Sequence, residues 1–149
     1  MSTFYGGGHV RYRLPLQGAF ALMFFVAAAY SAFAGGGREA GEMITPEDAY
    51  KMANAGEAIL VDVRDEASYV EAHIAGAVSV PLGQVAGRSG EFAQAGRTVI
   101  TYCSCPAEET SIAAAGNLIA AGYSDVLVLK GGIQAWSAAG LPLRRGPRP

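Results

Sequence analysis

The sequence predicts an α/β domain with a mainly parallel sheet and helices on both faces. The first observation is that the runs 58–63 and 126–129 are almost continuously apolar, as expected of strands buried on both faces. The second is that segments with helical signals stand between the predicted strands, joined by short connections. This alternation is typical of successive βαβ units, which place parallel strands side by side.

The first half of the domain begins with a clear helix start. Thr45 suits an N-cap, Pro46 suits the first helical position, and two acidic residues follow in the first turn. Signals in 82–96 are mixed, so a loop with one helical turn is expected there. The predicted elements of this half are a helix over 45–55, a strand over 58–63, a helix over 66–72 and a strand over 77–80.

The second half repeats the alternation. Its longest helix is expected to bury Ile112, Leu118 and Ile119 and to end at Gly122. Gly131 and Gly132 predict a tight entry into the last helix. The predicted elements of this half are a strand over 97–102, a helix over 106–121, a strand over 126–129 and a helix over 132–140.

The first 34 residues have the marks of an export segment. Arg11 and Arg13 precede the run 14–34, which has no charged residue and ends in an A-x-A sequence. This order is typical of a secretory signal peptide cleaved after Ala34. The length also suits an uncleaved anchor, which would attach the protein to a membrane through 14–34. Residues 1–34 are therefore predicted to be one or the other, and the domain is expected to be periplasmic or otherwise extracytoplasmic.

The remaining chain is predicted to consist of a linker over 35–44, a folded domain over 45–143 and a disordered basic tail over 144–149. Without residues 1–34, nine Lys and Arg stand against thirteen Asp and Glu, a net charge of −4. This balance excludes nucleic acid as an expected partner. His73 is the one histidine that remains, so no metal cluster is predicted.

The chemistry is predicted at the turn that follows the strand 97–102. Cys103 and Cys105 are the only two cysteines of the chain, and they stand between this strand and the next helix. Residues 106–109 are predicted to form the first turn of that helix, capped by Cys105-Pro106. Unpaired backbone N–H groups and the positive end of a helix dipole favour a thiolate at such a position. One of the two cysteines is therefore the candidate nucleophile.

Three segments of the chain resemble the rhodanese (sulfurtransferase) family, and they occur in the family's order over roughly 45–142. Each segment alone is a weak match, but the combination is specific. The segments are Asp62-Val63-Arg64 with 73–82, Tyr102-Cys103 with 111–115, and 129–136 with 140–142.

The resemblance implies a three-layer domain with a mainly parallel five-stranded sheet. It also implies sulfur transfer, in which a cysteine thiolate takes sulfur from a sulfane-sulfur donor and passes it to a thiol or protein acceptor, with no cofactor. Asp62 and Arg64 are expected to brace the loops as structural support. The residues expected to contact the substrate are Ser104, Cys105, Ala107, Glu108, Glu109 and Thr110.

The loop departs from the family pattern in its length and its charge. The Tyr-Cys pair favours Cys103 as the nucleophile, whereas the spacing to Ser111 favours Cys105. Cys103 is preferred, with Cys105 as the alternative or as a relay thiol. Residues 108–110 (Glu-Glu-Thr) replace the family's cations, and carboxylates repel an anionic donor. Thiosulfate is therefore disfavoured, and a neutral donor, a persulfidated small thiol or a partner protein is expected.

Two other functions are compatible with these residues. The C-x-C pair is also compatible with a thiol redox protein, in which the two cysteines alternate between a dithiol and a disulfide. That disulfide would close a very small, strained ring. A loop too altered for sulfur transfer would instead leave a rhodanese-like binding module. The preferred hypothesis is an extracytoplasmic sulfurtransferase or persulfide carrier.

Overall fold

The computed structural model describes residues 41–147, and its elements alternate as the sequence predicts. Along the chain they are β1 (Glu42–Ile44), α1 (Pro46–Asn54), β2 (Ala58–Asp62), α2 (Glu66–Glu71), β3 (His73–Ile74), β4 (Val78–Ser79), α3 (Leu82–Val85), a 3-10 turn (Ala86–Arg88), α4 (Ser89–Ala95), β5 (Thr98–Tyr102), α5 (Glu109–Ala120), β6 (Val126–Leu129), α6 (Gly132–Ala138) and β7 (Leu143–Arg144).

Five parallel strands form the main sheet in the order β1-β6-β5-β2-β4. The strands β3 and β7 form a separate antiparallel pair. The predicted α/β fold with a five-stranded sheet is therefore confirmed. Because β5 is the central strand, its carboxyl end is flanked by the ends of β2 and β6.

Helices cover both faces of the sheet and create two hydrophobic cores. On one face, Trp136 of α6 and residues of α1 pack with Tyr102 of β5. On the other face, Phe92 of α4 and Leu118 of α5 pack with Val99 of β5. Successive residues of β5 thus point to opposite cores, as the alternation of side chains along a strand requires.

The helix α5 differs from its prediction in where it begins and in the face that it buries. It begins at Glu109, so 106–108 belong to the turn before it, and Cys105-Pro106 does not cap it. Ile112 and Ile119 are 45% and 40% exposed, whereas Leu118 is buried as predicted. The buried face is made mostly of small residues, which lets the helix approach the sheet closely; its members are Ser111, Ala114, Ala115 and Leu118.

The segment 82–96 is also more helical than predicted. It contains α3, the 3-10 turn and α4 instead of a loop with one turn. Val85 and Phe92 are buried against the sheet. Burial of these two apolar side chains stabilises the segment despite its four glycines, because tertiary packing overrides weak local propensity.

Short strands lie at both predicted domain boundaries. The end of the predicted linker 35–44 forms β1, and Lys130 donates a backbone hydrogen bond of 2.9 Å to Ile44. The predicted tail 144–149 begins inside β7, where Arg144 pairs with His73. The predicted export segment 1–34 lies outside the described residues. No helix within 41–147 has the length and apolarity needed to span a bilayer.

Candidate active site

The candidate site lies at the carboxyl ends of the three central strands. Cys103 follows β5, Arg64 comes two residues after the end of β2, and Gly131 follows the end of β6 closely. The turn 103–108 then leads into α5. In an open parallel sheet this edge is where ligands bind, because loops from neighbouring strands converge there.

Cys103 lies at the base of the turn and is 1% exposed. Its Sγ accepts hydrogen bonds from the backbone N–H of Cys105 at 3.3 Å and from the Ser111 hydroxyl at 3.5 Å. Burial, together with a hydrogen bond to the Cys105 side chain, raises the pKa of Cys103, although the donors from Ser111 and the backbone oppose this. The turn therefore surrounds a buried thiol with groups that can stabilise its anion.

Cys105 is only partly buried, and its thiol has a different environment. Its Sγ lies 3.0 Å from Oγ1 of Thr110. Hydrogen bonds from the Cys103 side chain and from Thr110 lower the pKa of Cys105, against the opposing charge of Glu109. Each cysteine thus has its own hydroxyl partner, and the more accessible thiol is the more acidic one.

The Cys105 side of the turn opens into a shallow depression of about 480 Å³. Gln134 of α6 forms part of its wall, and its Nε2 donates a 2.8 Å hydrogen bond to the carbonyl of Ser104. Gln134 is not among the predicted site residues, because a single glutamine in a helix gives no signal of a site. The residues lining the depression are Ser104, Cys105, Pro106, Gly131, Gln134, Ala135 and Ala138.

The side chain of Glu108, a predicted substrate contact, has a structural role in the turn. Its side chain is buried, and its Oε1 accepts a 2.5 Å hydrogen bond from the backbone N–H of Gly131. Its carbonyl accepts a 2.9 Å bond from the Ser111 hydroxyl. Its φ of 55° is the only positive value for a non-glycine residue among 41–147. Glu108 therefore ties the turn before α5 to the turn before α6.

The other predicted substrate contacts are divided between the depression and the open surface. Ser104 and Cys105 line the depression. Ala107 and Glu109 are exposed and do not line it. Thr110 is partly buried and contacts Cys105. The structure thus brings only part of the predicted set to the depression.

A second contact ties α6 to the cysteine turn. The backbone N–H of Ile133 donates a 3.0 Å hydrogen bond to the carbonyl of Cys103. A Cβ atom at Gly132 would lie 2.2 Å from that same carbonyl oxygen, and the φ of Gly132 is 55°. The predicted tight entry at 131–132 is therefore required both by backbone conformation and by close approach.

Asp62 and Arg64 form a buried ion pair beside the turn. The Arg64 Nε and Nη2 atoms donate to the two Asp62 carboxylate oxygens at 2.9 and 2.6 Å, and Nη2 also donates to the carbonyl of Ala72 at 2.7 Å. The guanidinium lies 5.9 Å from the ring centre of Tyr102. Burial lowers the pKa of Arg64, but the hydrogen bond and charge of Asp62 outweigh it, so the pKa is raised. These contacts hold the end of β2 against the end of β5.

Comparison with known proteins identifies the family. A family model described as a rhodanese-like domain matches residues 45–139. A sulfurtransferase of Allochromatium vinosum is 34% identical over 93 residues, which cover 62% of this chain and 84% of that protein. An uncharacterized protein of Synechocystis sp., slr1261, is 35% identical over 100 residues, or 66% of this chain, which spans only about half of that longer protein (54%).

A solved structure gives the same result. The crystal structure of the Alr3790 protein from Anabaena sp. has a TM-score of 0.64 and 28% sequence identity, and the match covers 70% of this chain and 94% of that one. The family model alone covers more than half of the 149 residues. With its five-stranded parallel sheet and a cysteine at the end of the central strand, the chain belongs to the rhodanese-like domain family.

Proposed function

We propose that this chain is a sulfurtransferase that carries sulfane sulfur as a persulfide on its cysteine turn. The observation that supports this most directly is the position of the Cys103 sulfur, which accepts from the Cys105 N–H and the Ser111 hydroxyl. Oriented donors of this kind stabilise an anionic sulfur. The relative from Allochromatium vinosum, which is named a sulfurtransferase, supports the same chemistry.

The reaction has two half-reactions. A cysteine thiolate attacks the outer sulfur of the donor, the donor's sulfur–sulfur bond breaks, and the donor leaves as a thiolate. An acceptor nucleophile then attacks the outer sulfur of the cysteine persulfide, which restores the cysteine thiolate. Cys103 holds the sulfur between these steps, because the hydrogen-bond donors of the turn converge on it.

The charge of the turn favours a donor with little negative charge. Residues 103–111 contain no Lys or Arg, and Glu109 is exposed on the surface of the turn. The guanidinium of Arg64 is already paired with Asp62. A doubly charged anion such as thiosulfate would find no free cation in the turn. A persulfide of a small thiol or of a partner protein is therefore the donor that we propose.

We also propose that the domain works outside the cytoplasm. The support is the sequence of residues 1–34, with Arg11 and Arg13 before an uncharged run that ends in A-x-A. N-terminal sequencing of the mature protein tests this proposal. A mature chain that begins at Gly35 would support a cleaved signal peptide, and a chain that retains 1–34 in the membrane fraction would support an anchor.

Intact-mass measurement tests the proposed activity. The chain is incubated with glutathione persulfide, excess donor is removed, and the intact mass of the protein is measured. One added sulfur atom on the natural chain, and none on the double variant C103S/C105S, supports a sulfurtransferase. Loss of two hydrogens without a gain of sulfur supports the thiol redox function instead. An unchanged mass with every persulfide donor contradicts both the sulfurtransferase and the thiol redox function. A rhodanese-like binding module is then the remaining hypothesis.

A further inference from the structure

The two thiols of the turn differ in their access to a donor. We propose that Cys105 accepts the sulfane sulfur first and passes it inward to Cys103, which stores it. This relay rests on the proposed sulfurtransferase function and assigns an order to its two cysteines. The observations that support it are the depth of each thiol, its hydrogen-bond partners and the bond that joins the Cys105 backbone N–H to the Cys103 sulfur.

Depth decides which thiol a donor can reach. Cys103 is 1% exposed and packs in a hydrophobic core with Val61 and Ala114. Cys105 is partly exposed and lines the depression together with Ser104 and Gln134. A small persulfide can therefore reach the Cys105 sulfur with the turn in its present conformation, whereas Cys103 lies behind the turn.

Reactivity follows the same order as access. The Thr110 hydroxyl lies 3.0 Å from the Cys105 sulfur. The Cys103 side chain and Thr110 lower the pKa of Cys105, while burial raises that of Cys103. Because the thiolate is the attacking form of a cysteine, the accessible Cys105 is the better nucleophile toward a donor.

The first step of the relay loads Cys105. Its thiolate attacks the outer sulfur of a persulfide donor, written RSSH. The donor's sulfur–sulfur bond breaks, RS− leaves, and a new sulfur–sulfur bond forms on Cys105. The proton of RSSH stays on the transferred sulfur, so that the products are the Cys105 persulfide and a thiolate.

The second step moves the sulfur inward. The Cys103 sulfur attacks the outer sulfur of the Cys105 persulfide, one sulfur–sulfur bond breaks as another forms, and the Cys103 proton ends on Cys105. No external oxidant or reductant is consumed. The backbone N–H of Cys105 lies 3.3 Å from the Cys103 sulfur, so the turn holds the two cysteines side by side for this exchange. The stored sulfur then lies where the Cys105 N–H and the Ser111 hydroxyl stabilise it.

A pulse of glutathione persulfide tests the order of the steps on the natural chain. After short and long times the reaction is quenched with iodoacetamide, and fragment mass spectra locate the added sulfur. We expect it on Cys105 at early times and on Cys103 later. Sulfur that appears on Cys103 first, or that never leaves Cys105, would overturn the relay.

The single variants C103S and C105S form a matched pair for the same test. C103S should gain one sulfur as fast as the natural chain and then lose it to added cyanide about tenfold faster, since the sulfur stays at the exposed position. C105S should load about tenfold more slowly, because the remaining thiol is buried. Thermal unfolding of both variants checks that they are folded.

The possible failures are distinguishable. If C105S loads at the natural rate while C103S gains nothing, the relay is wrong and the proposed sulfurtransferase stands on Cys103 alone. If the natural chain itself gains no sulfur, the proposed function fails and the relay with it.

Discussion

Glu108 and Glu109 are neighbours in sequence, yet they face different environments. Glu108 adopts a left-handed conformation with a buried carboxylate that accepts from Gly131, whereas Glu109 begins α5 and is exposed. A non-glycine residue in the left-handed region is strained, so its surroundings must hold it there. The carboxylate bond to Gly131 provides that restraint.

Removing the two carboxylates should therefore have unequal effects. Glu108→Ala leaves the Gly131 N–H without this partner and should lower the free energy of unfolding by about 1–3 kcal/mol. The matched control Glu109→Ala should change it by about 0.5 kcal/mol or less. Urea denaturation measures both values, and hydrogen exchange at Gly131 should speed up only in Glu108→Ala. Equal losses in the two variants would contradict the assigned role of Glu108.

After the Cys103 side chain, the Thr110 hydroxyl is the second group that lowers the pKa of Cys105. Thr110→Val removes that partner, so the pKa of Cys105 should rise and a smaller thiolate fraction should remain at neutral pH. The alkylation rate of Cys105 should then fall at neutral pH and recover in alkaline solution. Thr110→Ser keeps a hydroxyl and serves as the control. Peptide mass spectrometry across a pH series measures the rate, and superimposable profiles for Val and Thr would refute this assignment.

At the scale of residues, the sequence could predict which side chains meet but not their conformations. Asp62 and Arg64 belong to one motif at a strand end, and the structure joins them in an ion pair. The role of Glu108 could not be foreseen, because glutamate has no preference for the left-handed region and its partner Gly131 is distant in sequence. Local patterns do not encode such long-range hydrogen bonds.

At the scale of elements, the entry into α6 is fixed by the backbone of the cysteine turn. Gly132 has space for no side chain, because its position lies against the carbonyl oxygen of Cys103. Gly116 lies in the middle of α5, and a Cβ there would have nothing within 4 Å. The two glycines therefore differ in function although both belong to helices.

Alanine substitution should separate these two glycines. Gly132→Ala should destabilise the fold by about 2 kcal/mol or more, because the positive φ and the overlap with Cys103 both oppose a side chain. Gly116→Ala should stabilise it by up to about 1 kcal/mol through helix propensity. Thermal unfolding measures both changes. A tolerated Gly132→Ala would show that the turn is looser than the contact with Cys103 implies.

Helices and strands were predictable where the hydrophobic pattern of the sequence matched the burial of the element. Strands β2 and β6 are mostly apolar and β5 is rich in β-branched residues, and the positions of all three agree with the prediction within about one residue. The face of α5 was not predictable from apolarity, since the more hydrophobic Ile112 is exposed and the smaller Ala114 is buried. Close packing of the helix on the sheet selects small side chains, which a hydrophobicity pattern does not reveal.

At the scale of the whole molecule, the sheet is completed by a strand that the sequence placed in the linker. β1 has three residues and pairs with β6 along its whole length. Its short length and mixed polarity gave no strand signal. Ile44 is nevertheless 7% exposed, while the preceding Met43 is 45% exposed. The alternation of these two side chains is that of an edge strand with one side against the core.

Shortening these two side chains tests whether β1 belongs to the fold. Ile44→Ala removes buried apolar volume and should lower the free energy of unfolding by about 2–4 kcal/mol. Met43→Ala, the matched control on the exposed side, should lower it by less than about 1 kcal/mol. Guanidinium denaturation of the full chain measures both. If neither substitution matters, 42–44 is a linker as the sequence suggested.

The pairing of β1 with β6 also sets the order in which the chain can fold during synthesis. β1 is the first strand of the main sheet to be translated, and its partner at 126–129 is the last. Pairings between distant segments form late, because the loop between them must close first. Consequently β1 cannot pair with β6 until translation has passed residue 129. Export through a membrane, as proposed above, would benefit from this delay, because a completed sheet resists threading.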